Sequence, residues 1–290
     1  MRTTFPYLAS FLVITLLQGC SGGLFSSKAP VTLQEAWSTD NTLRTPESVV
    51  VDRERNVLYV SNINQSSKER KDGDGFISRL TPNGEVEQLY WVSGLNDPKG
   101  MALHNNVLYV ADIDEIVAIA TQTGSILARY KADKAKFLND VDVDDAGNVY
   151  VSDSEVGSIY QMRNGRVSNW LENAKRERPN GLLWDNKRLI VAYSKSGNVR
   201  FLDPERKEFT DWTDGIPSAD GIVRVGAEGY LISNWNGEVY YVNQDGKKWK
   251  LLDTTERKIN AADISYSPEQ QMLYVPTFFN NRVVAYRVTF

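Results

Sequence analysis

The stretch "NDVDVDDAGNVYV" (139–151) decides the fold of this protein. It reads as an alternating strand, a turn rich in Asp, Asn and Gly, and a second alternating strand. The phrase returns as "ESVVVDRERNVLYV" (47–60), "KGMALHNNVLYV" (99–110), "NGLLWDNKRLIV" (180–191), "DGIVRVGAEGYLI" (220–232) and "ADISYSPEQQMLYV" (262–275). A third strand follows each copy: "GFISRLT", "EIVAIAT", "GSIYQMR", "GNVRFLD", "GEVYYVN" and "RVVAYRV". A weaker fourth segment closes most units, often on an aromatic residue, as in "EVEQLYW", "RVSNW" and "EFTDW". The copies begin at 47, 99, 139, 180, 220 and 262, in steps of 52, 40, 41, 40 and 42. A period of about 40 with four strands per unit predicts an all-β chain folded as a six-bladed β-propeller, four antiparallel strands to a blade. The polar insert "NQSSKERKDGDG" (64–75) accounts for the long first step as a surface loop between second and third strands. The last unit holds only three strands, and "VTLQEAWST" (31–39) is expected to supply its fourth, latching the ring shut. Two stacked sandwiches would leave the constant period unexplained.

Composition agrees with this reading. At 41% hydrophobic and 24% charged residues the chain can bury a sizeable core. Its 14 Tyr, 7 Trp and 10 Phe, with recurring Val-Tyr-Val triplets, are the usage of strands. A net charge of −4 provides no basic field, which argues against nucleic acid as a partner.

The N-terminus reads as an address. After Met1-Arg2, the apolar run "FPYLASFLVITLL" (5–17) is too short to span a bilayer and ends in "LLQGC". That ending resembles a bacterial lipobox, although Gln18 is a less usual occupant of its place. The resemblance implies a signal peptide over 1–19 and lipid on Cys20, the only cysteine. An uncleaved anchor or a plain secretory signal are the alternatives. Ser21 in place of Asp implies the outer membrane, hence a protein lipid-anchored in the bacterial envelope and facing the periplasm. Loss of 1–19 removes Arg2 and leaves the mature chain one charge more negative. No second cysteine exists for a disulfide. The Ser/Gly segment within 20–31 is expected to be a flexible tether, and 32–290 the propeller.

In a propeller the innermost strands all start near one mouth of the central channel. The residues heading them are Glu47, Lys99, Asn139, Asn180, Asp220 and Ala262. Two carboxylates and two amides in one ring are costly to bury unpartnered. They are also hard oxygen donors, the kind Ca²⁺ prefers. The motifs "TPESV" with Glu47, "LND" with Asn139, "PNGL" with Asn180 and "ADGI" with Asp220 resemble the gluconolactonase/regucalcin-like (senescence marker protein) family. More distantly, their order is similar to that of the calcium-dependent paraoxonases and the squid-type phosphotriesterase. The resemblance spans 32–290. It implies a divalent cation held by Glu47, Asn139, Asn180 and Asp220, with Asp220 also base or nucleophile in hydrolysis of a lactone or related ester.

Lys99 departs from that pattern, since an ammonium cannot ligate a cation. Either it pairs with Glu47 or Asp220 and takes the metal's place, or it points aside and binds the substrate's oxyanion. Ring charge does not choose, because two carboxylates and one ammonium still sum to an attractive −1. Asp140 is expected to bond backbone or Asn139, or to act as a further base.

Non-catalytic propellers of the NHL type also line a wet channel with polar residues, so a binding or scaffold module with an envelope protein partner is the competing reading. Other chemistries lack parts. His104, the only histidine, falls in a turn after an inner strand, which leaves a Ser-His-Asp triad without a base and zinc without ligands. "DGDG" (72–75) lacks the remaining pattern of an EF-hand loop, and no P-loop or dinucleotide fingerprint occurs. The Asp or Asn closing second strands in "SNI", "ADI", "SDS" and "SNW" recurs across units, as a turn-former would.

Overall fold

The computed structural model describes residues 1, 28–65, 69–172 and 177–290. The expected signal peptide after Met1, Cys20 and most of the expected tether lie outside the described residues. Six four-stranded antiparallel sheets form the blades of a propeller. From channel to rim, blade one is Pro46–Asp52, Val57–Asn62, Gly75–Leu80 and Val86–Leu95. Blade two is Pro98–His104, Val107–Asp112, Glu115–Ala120 and Ile126–Lys131, and blade three is Leu138–Val143, Val149–Asp153, Ser158–Arg163 and Arg166–Glu172. Blade four is Pro179–Asp185, Arg188–Tyr193, Val199–Asp203 and Glu208–Thr213. Blade five is Ala219–Val225, Gly229–Asn234, Glu238–Asn243 and Lys248–Asp253. Blade six takes Ser265–Ser267, Met272–Pro276 and Val283–Thr289 from the end of the chain and Thr32–Ser38 from its beginning.

The ring closes as the repeat count requires. Thr32–Ser38 pairs antiparallel with Val283–Thr289, from Thr32 opposite Thr289 to Ser38 opposite Val284, with a bulge between Glu35 and Trp37. A second clasp sits at the channel, where the Asp263 N–H donates to the Glu47 carbonyl at 2.9 Å.

Strand alternation explains why a ring forms at all. Successive side chains leave a strand on opposite faces. In blade one, Val57 and Tyr59 pack with Met101, Leu108 and Val110 of blade two. Leu58 and Val60, between and after them, pack with Met272, Tyr274 and Ala285 of blade six. The same division repeats around the molecule, so the main apolar clusters lie between adjacent blades. A blade alone would expose apolar side chains on both faces; only closure covers them all.

The recurring Asp and Asn at second-strand ends are caps. Asp153 accepts the N–H groups of Lys136, Phe137, Glu155 and Val156, and Asp112 those of Asn96 and Asp97. Asn62 accepts the Arg44 N–H at 2.8 Å. Each cap tethers the loop entering its blade to the mouth. No helix among the described residues is long and apolar enough to cross a membrane.

Candidate functional site

Five of the six expected strand heads converge. Glu47, Lys99, Asn139, Asn180 and Asp220 are all buried and line one cavity of about 1020 Å³ at the channel mouth. Ala262 is fully buried beneath Ile63, Phe278 and Trp235, so blade six offers an apolar sector instead of a polar head.

Local backbone irregularity aims these side chains. The inner hairpins of blades one to five each slip register immediately after the strand begins, between Pro46 and Val49, Pro98 and Met101, Leu138 and Val141, Pro179 and Leu182, and Ala219 and Ile222. The head residue and its successor occupy that bulge, which turns the head out of the ladder. In three blades a serine of the second strand accepts the N–H freed by the bulge: Ser61 from Ser48, Ser152 from Asp140 and Ser233 from Gly221. Two of these hydroxyls then donate at 2.7 Å to the following blade, Ser152 to the Asn180 carbonyl and Ser233 to the Ala262 carbonyl.

The surrounding hydrogen bonds also orient the two ring amides. Ser154 donates its one hydroxyl proton to the Pro179 carbonyl at 2.7 Å and therefore accepts from Asn139 Nδ2 at 3.1 Å. That leaves Asn139 Oδ1 without a hydrogen-bond donor among the described residues. Asn180 Nδ2 donates to the Ala219 carbonyl at 3.3 Å and to Asp220 Oδ1 at 3.1 Å, and Asn180 Oδ1 is buried without a partner. Glu47 Oε2 is likewise buried and unsatisfied. Native interiors rarely leave such acceptors unmatched.

Burial dominates the electrostatics. It pushes the Glu47 carboxyl well above the usual range; the Lys99 charge pulls it back, while Asp220 and Asp263 push it further. Asp220 is raised well above its ordinary value by burial and by Asp263, opposed by the Asn180 hydrogen bond and the Lys99 charge. Burial lowers Lys99, with Glu47 and Asp97 acting against it.

Lys99 stands in this ring without a direct ion pair to a described residue. Among the described residues it makes no salt bridge to Glu47 or Asp220; its Nζ stands 4.9 Å from the centre of the Phe137 ring. Its charge nonetheless acts through space on both Glu47 and Asp220.

Asp140 is a staple. Its Oδ1 accepts the Val141 N–H at 2.7 Å and its Oδ2 the Leu182 N–H of blade four at 2.6 Å. Asp142 repeats this one layer deeper, binding the N–H groups of Val143 and Trp184 at 2.8 and 2.5 Å. Asp263 accepts from Ser48 Oγ at 2.5 Å across the join between blades six and one. Burial pushes Asp142 up to about 6 and Asp263 up to about 7. His104 ends the blade-two inner strand, at the opposite rim, with its ring beside Asn105.

Several further cavity residues lie outside the ring of heads. The long insert brings Arg70 to the rim, where it bonds Asp97 at 3.0 Å and lies over Phe137 at 4.8 Å. Asp72 in that insert accepts the Asp74 N–H as an ordinary turn does. Phe137, Arg178, Trp235 and Phe278 complete the mouth. Two sequence signals bear on them: Phe137 flanks the strand head Asn139, and Trp235 and Phe278 hold the place after the second strand that Ile63 and Ser154 hold in blades one and three.

The donor set fits a hard cation in kind. Two unmatched buried oxygens and two further oxygen-bearing side chains share one cavity. The carboxylate count is low, and among the described residues no three His, Cys, Asp or Glu side chains gather as a metal-binding group. Any cation here would lean on the amides Asn139 and Asn180.

No family model matches the chain, and no curated protein matches it. Solved structures of similar shape do. Virginiamycin B lyase from Staphylococcus aureus, in a catalytically inactive form with quinupristin, superposes with a TM-score of 0.63 at 13% identity, over 90% of this chain and 99% of that one. A chain of a nidogen/laminin complex reaches 0.63 at 16% identity, over 75% and 83%. A protein described as a "putative gluconolactonase" reaches 0.66 at 15% identity, over 90% and 93%. Identities this low establish a shared fold: the chain is a six-bladed β-propeller, like the lyase and the gluconolactonase-type protein it resembles in shape.

Proposed function

We propose that the protein is a metal-assisted hydrolase of a lactone or related ester, working at the channel mouth. The observation that carries this reading is the pair of buried, unmatched oxygens, Glu47 Oε2 and Asn180 Oδ1, in the cavity that Asn139 and Asp220 also line. Glu47, Asn139, Asn180 and Asp220 would hold a divalent cation, with Ca²⁺ the best match to an all-oxygen set containing two neutral amides. When bound, the ion supplies Lewis-acid polarisation of the substrate carbonyl. Asp220 is the base that takes a proton from the attacking water; its raised affinity for protons suits that task. Lys99 binds the substrate's anionic oxygen.

The shape shared with a gluconolactonase-type protein supports this reading. The lyase comparison supports it less, because the form described there was inactivated by exchanging a histidine, and His104 lies far from the mouth. A non-catalytic propeller holding an envelope protein is the second reading; a fold neighbour found in a protein complex favours it.

Calorimetric titration with calcium chloride should show one divalent-cation site in the wild type. Asn139→Leu, nearly isosteric and lacking the donor, should weaken it by at least about tenfold with an unchanged thermal melt. A screen of lactones and aryl esters should find turnover that stops on chelation and returns with Ca²⁺. Wild-type protein that binds no divalent cation and turns over nothing would leave the binding module as the better account.

For the address, we propose lipid attachment at Cys20. A fatty-acid analogue should label wild-type protein in bacteria and fail to label Cys20→Ser. Equal labelling of both would refute it.

A further inference from the structure

The mouth is two-sided, and the two sides ask for different chemistry. On blades five and six the wall is aromatic. Trp235 and Phe278 meet edge to face at 5.6 Å, with Ile63 and Ala262 behind them. Phe279 packs against both and is 59% exposed. Phe278 holds this place at a φ of 47°, a left-handed backbone that a bulky side chain seldom adopts. The turn carrying it is tied down at both ends. Thr277 and Arg282 bond each other through the Thr277 hydroxyl, and Asn281 Oδ1 accepts the Thr45 N–H of blade one at 2.8 Å. Such a conformation persists only where the surroundings impose it, and here it keeps an aromatic ring on the cavity wall.

Across the ring, on blade two, stands Lys99. It is 4% exposed, it makes no salt bridge within 4 Å among the described residues, and the Phe137 ring lies beside it. The nearest cationic neighbour, Arg70, is already engaged by Asp97 and by the Lys136 carbonyl. A buried ammonium is costly; Glu47 and Asp97 offset part of that cost through space, and an anion in direct contact would offset more of it.

We propose that this cavity takes an amphipathic anion, with a flat apolar group against Trp235 and Phe278 and a permanent carboxylate on Lys99. The inference rests on the hydrolase reading for the chemistry and narrows its substrate class to lactones or esters that also carry a carboxylate. It assigns Lys99 a partner in the ground state, where a transition-state role alone would require none.

The test uses two probes of the same shape, 2-naphthoate and neutral 2-naphthamide, titrated by ligand-observed NMR into the full-length folded protein with chelator present and no turnover. Wild type should bind the naphthoate about tenfold more tightly, as a charge-assisted hydrogen bond implies. Lys99→Met should bring naphthoate down to the naphthamide level, and Lys99→Arg should keep the preference. Trp235→Leu should weaken both probes by a similar factor and leave their ratio alone. Near-ultraviolet circular dichroism checks that each variant is folded. Equal binding of the two probes by wild type, a preference that survives Lys99→Met, or no saturation of either at millimolar concentration would overturn the proposal. Because nothing here depends on turnover or on calcium, failure of this inference and failure of the hydrolase reading are separate results.

Discussion

Asp220→Asn should cut the metal-dependent turnover of a lactone or aryl ester by about 10²- to 10⁴-fold, the usual contribution of a positioned general base. Cation affinity should change far less. An amide oxygen can still ligate, and it can still accept the hydrogen bond that Asn180 Nδ2 makes to this position. Stability should not suffer either, and the sign follows from linkage. Burial and Asp263 raise the Asp220 carboxyl in the folded protein, so the fold binds that proton more tightly than the unfolded chain does. Its contribution is full below the unfolded value and is lost as pH rises through the folded one. Above the unfolded value the buried carboxyl therefore costs the fold free energy, and a neutral amide removes that penalty. Asp220→Asn should melt at or above the wild-type temperature at pH 7, with the difference vanishing in acid. Parallel collapse of turnover and calcium affinity would show that Asp220 is a ligand and nothing more. Unchanged turnover would remove it from the chemistry.

Gly181→Ala should be the most damaging small substitution in the molecule. A Cβ at this position would lie 1.8 Å from the Asp220 carbonyl oxygen, a distance at which backbone must move. The obstacle is the neighbouring blade, and moving it means opening the ring at its narrowest radius. We expect a loss on the order of 3 kcal/mol or more, at or beyond the upper end for overpacking, read from urea unfolding. Gly94→Ala is the control. Gly94 has a φ of 79° and nothing within 4 Å, so it tests backbone strain without crowding, at a cost of about 1 kcal/mol. Equal effects at the two positions would mean that blade crowding at the channel does not matter.

The glycine was visible in "PNGL" and "ADGI", and so was the ring of heads, because both recur at the repeat period. Strand alternation, turn composition and a spacing near 40 are local properties of contiguous hairpins. A chain whose every unit pairs with itself therefore displays its blades in order, including the need for 31–39 to complete the last one. Which polar heads share a mouth followed from that period alone. What each head does there was not legible. The orientation of Asn139 depends on a Ser154 proton given to Pro179, and that of Asn180 on a carboxylate 40 residues away. Asp140 could have been a base until its oxygens were found on the backbone of Val141 and of Leu182, 42 residues on. That Lys99 stands beside the Phe137 ring, with no direct salt bridge to Glu47, depends on how the mouth is assembled. The aromatic wall comes from the residues that follow the second strands of blades five and six, Trp235 and Phe278; the period marks that position but not which residue type fills it, and the Phe278 turn is held by a contact between Thr45 and Asn281. Periodicity placed the blades because it is written into each hairpin. The direction of a side chain at the axis depends on bulges and on the neighbouring blade, and only closure of the ring brings those together.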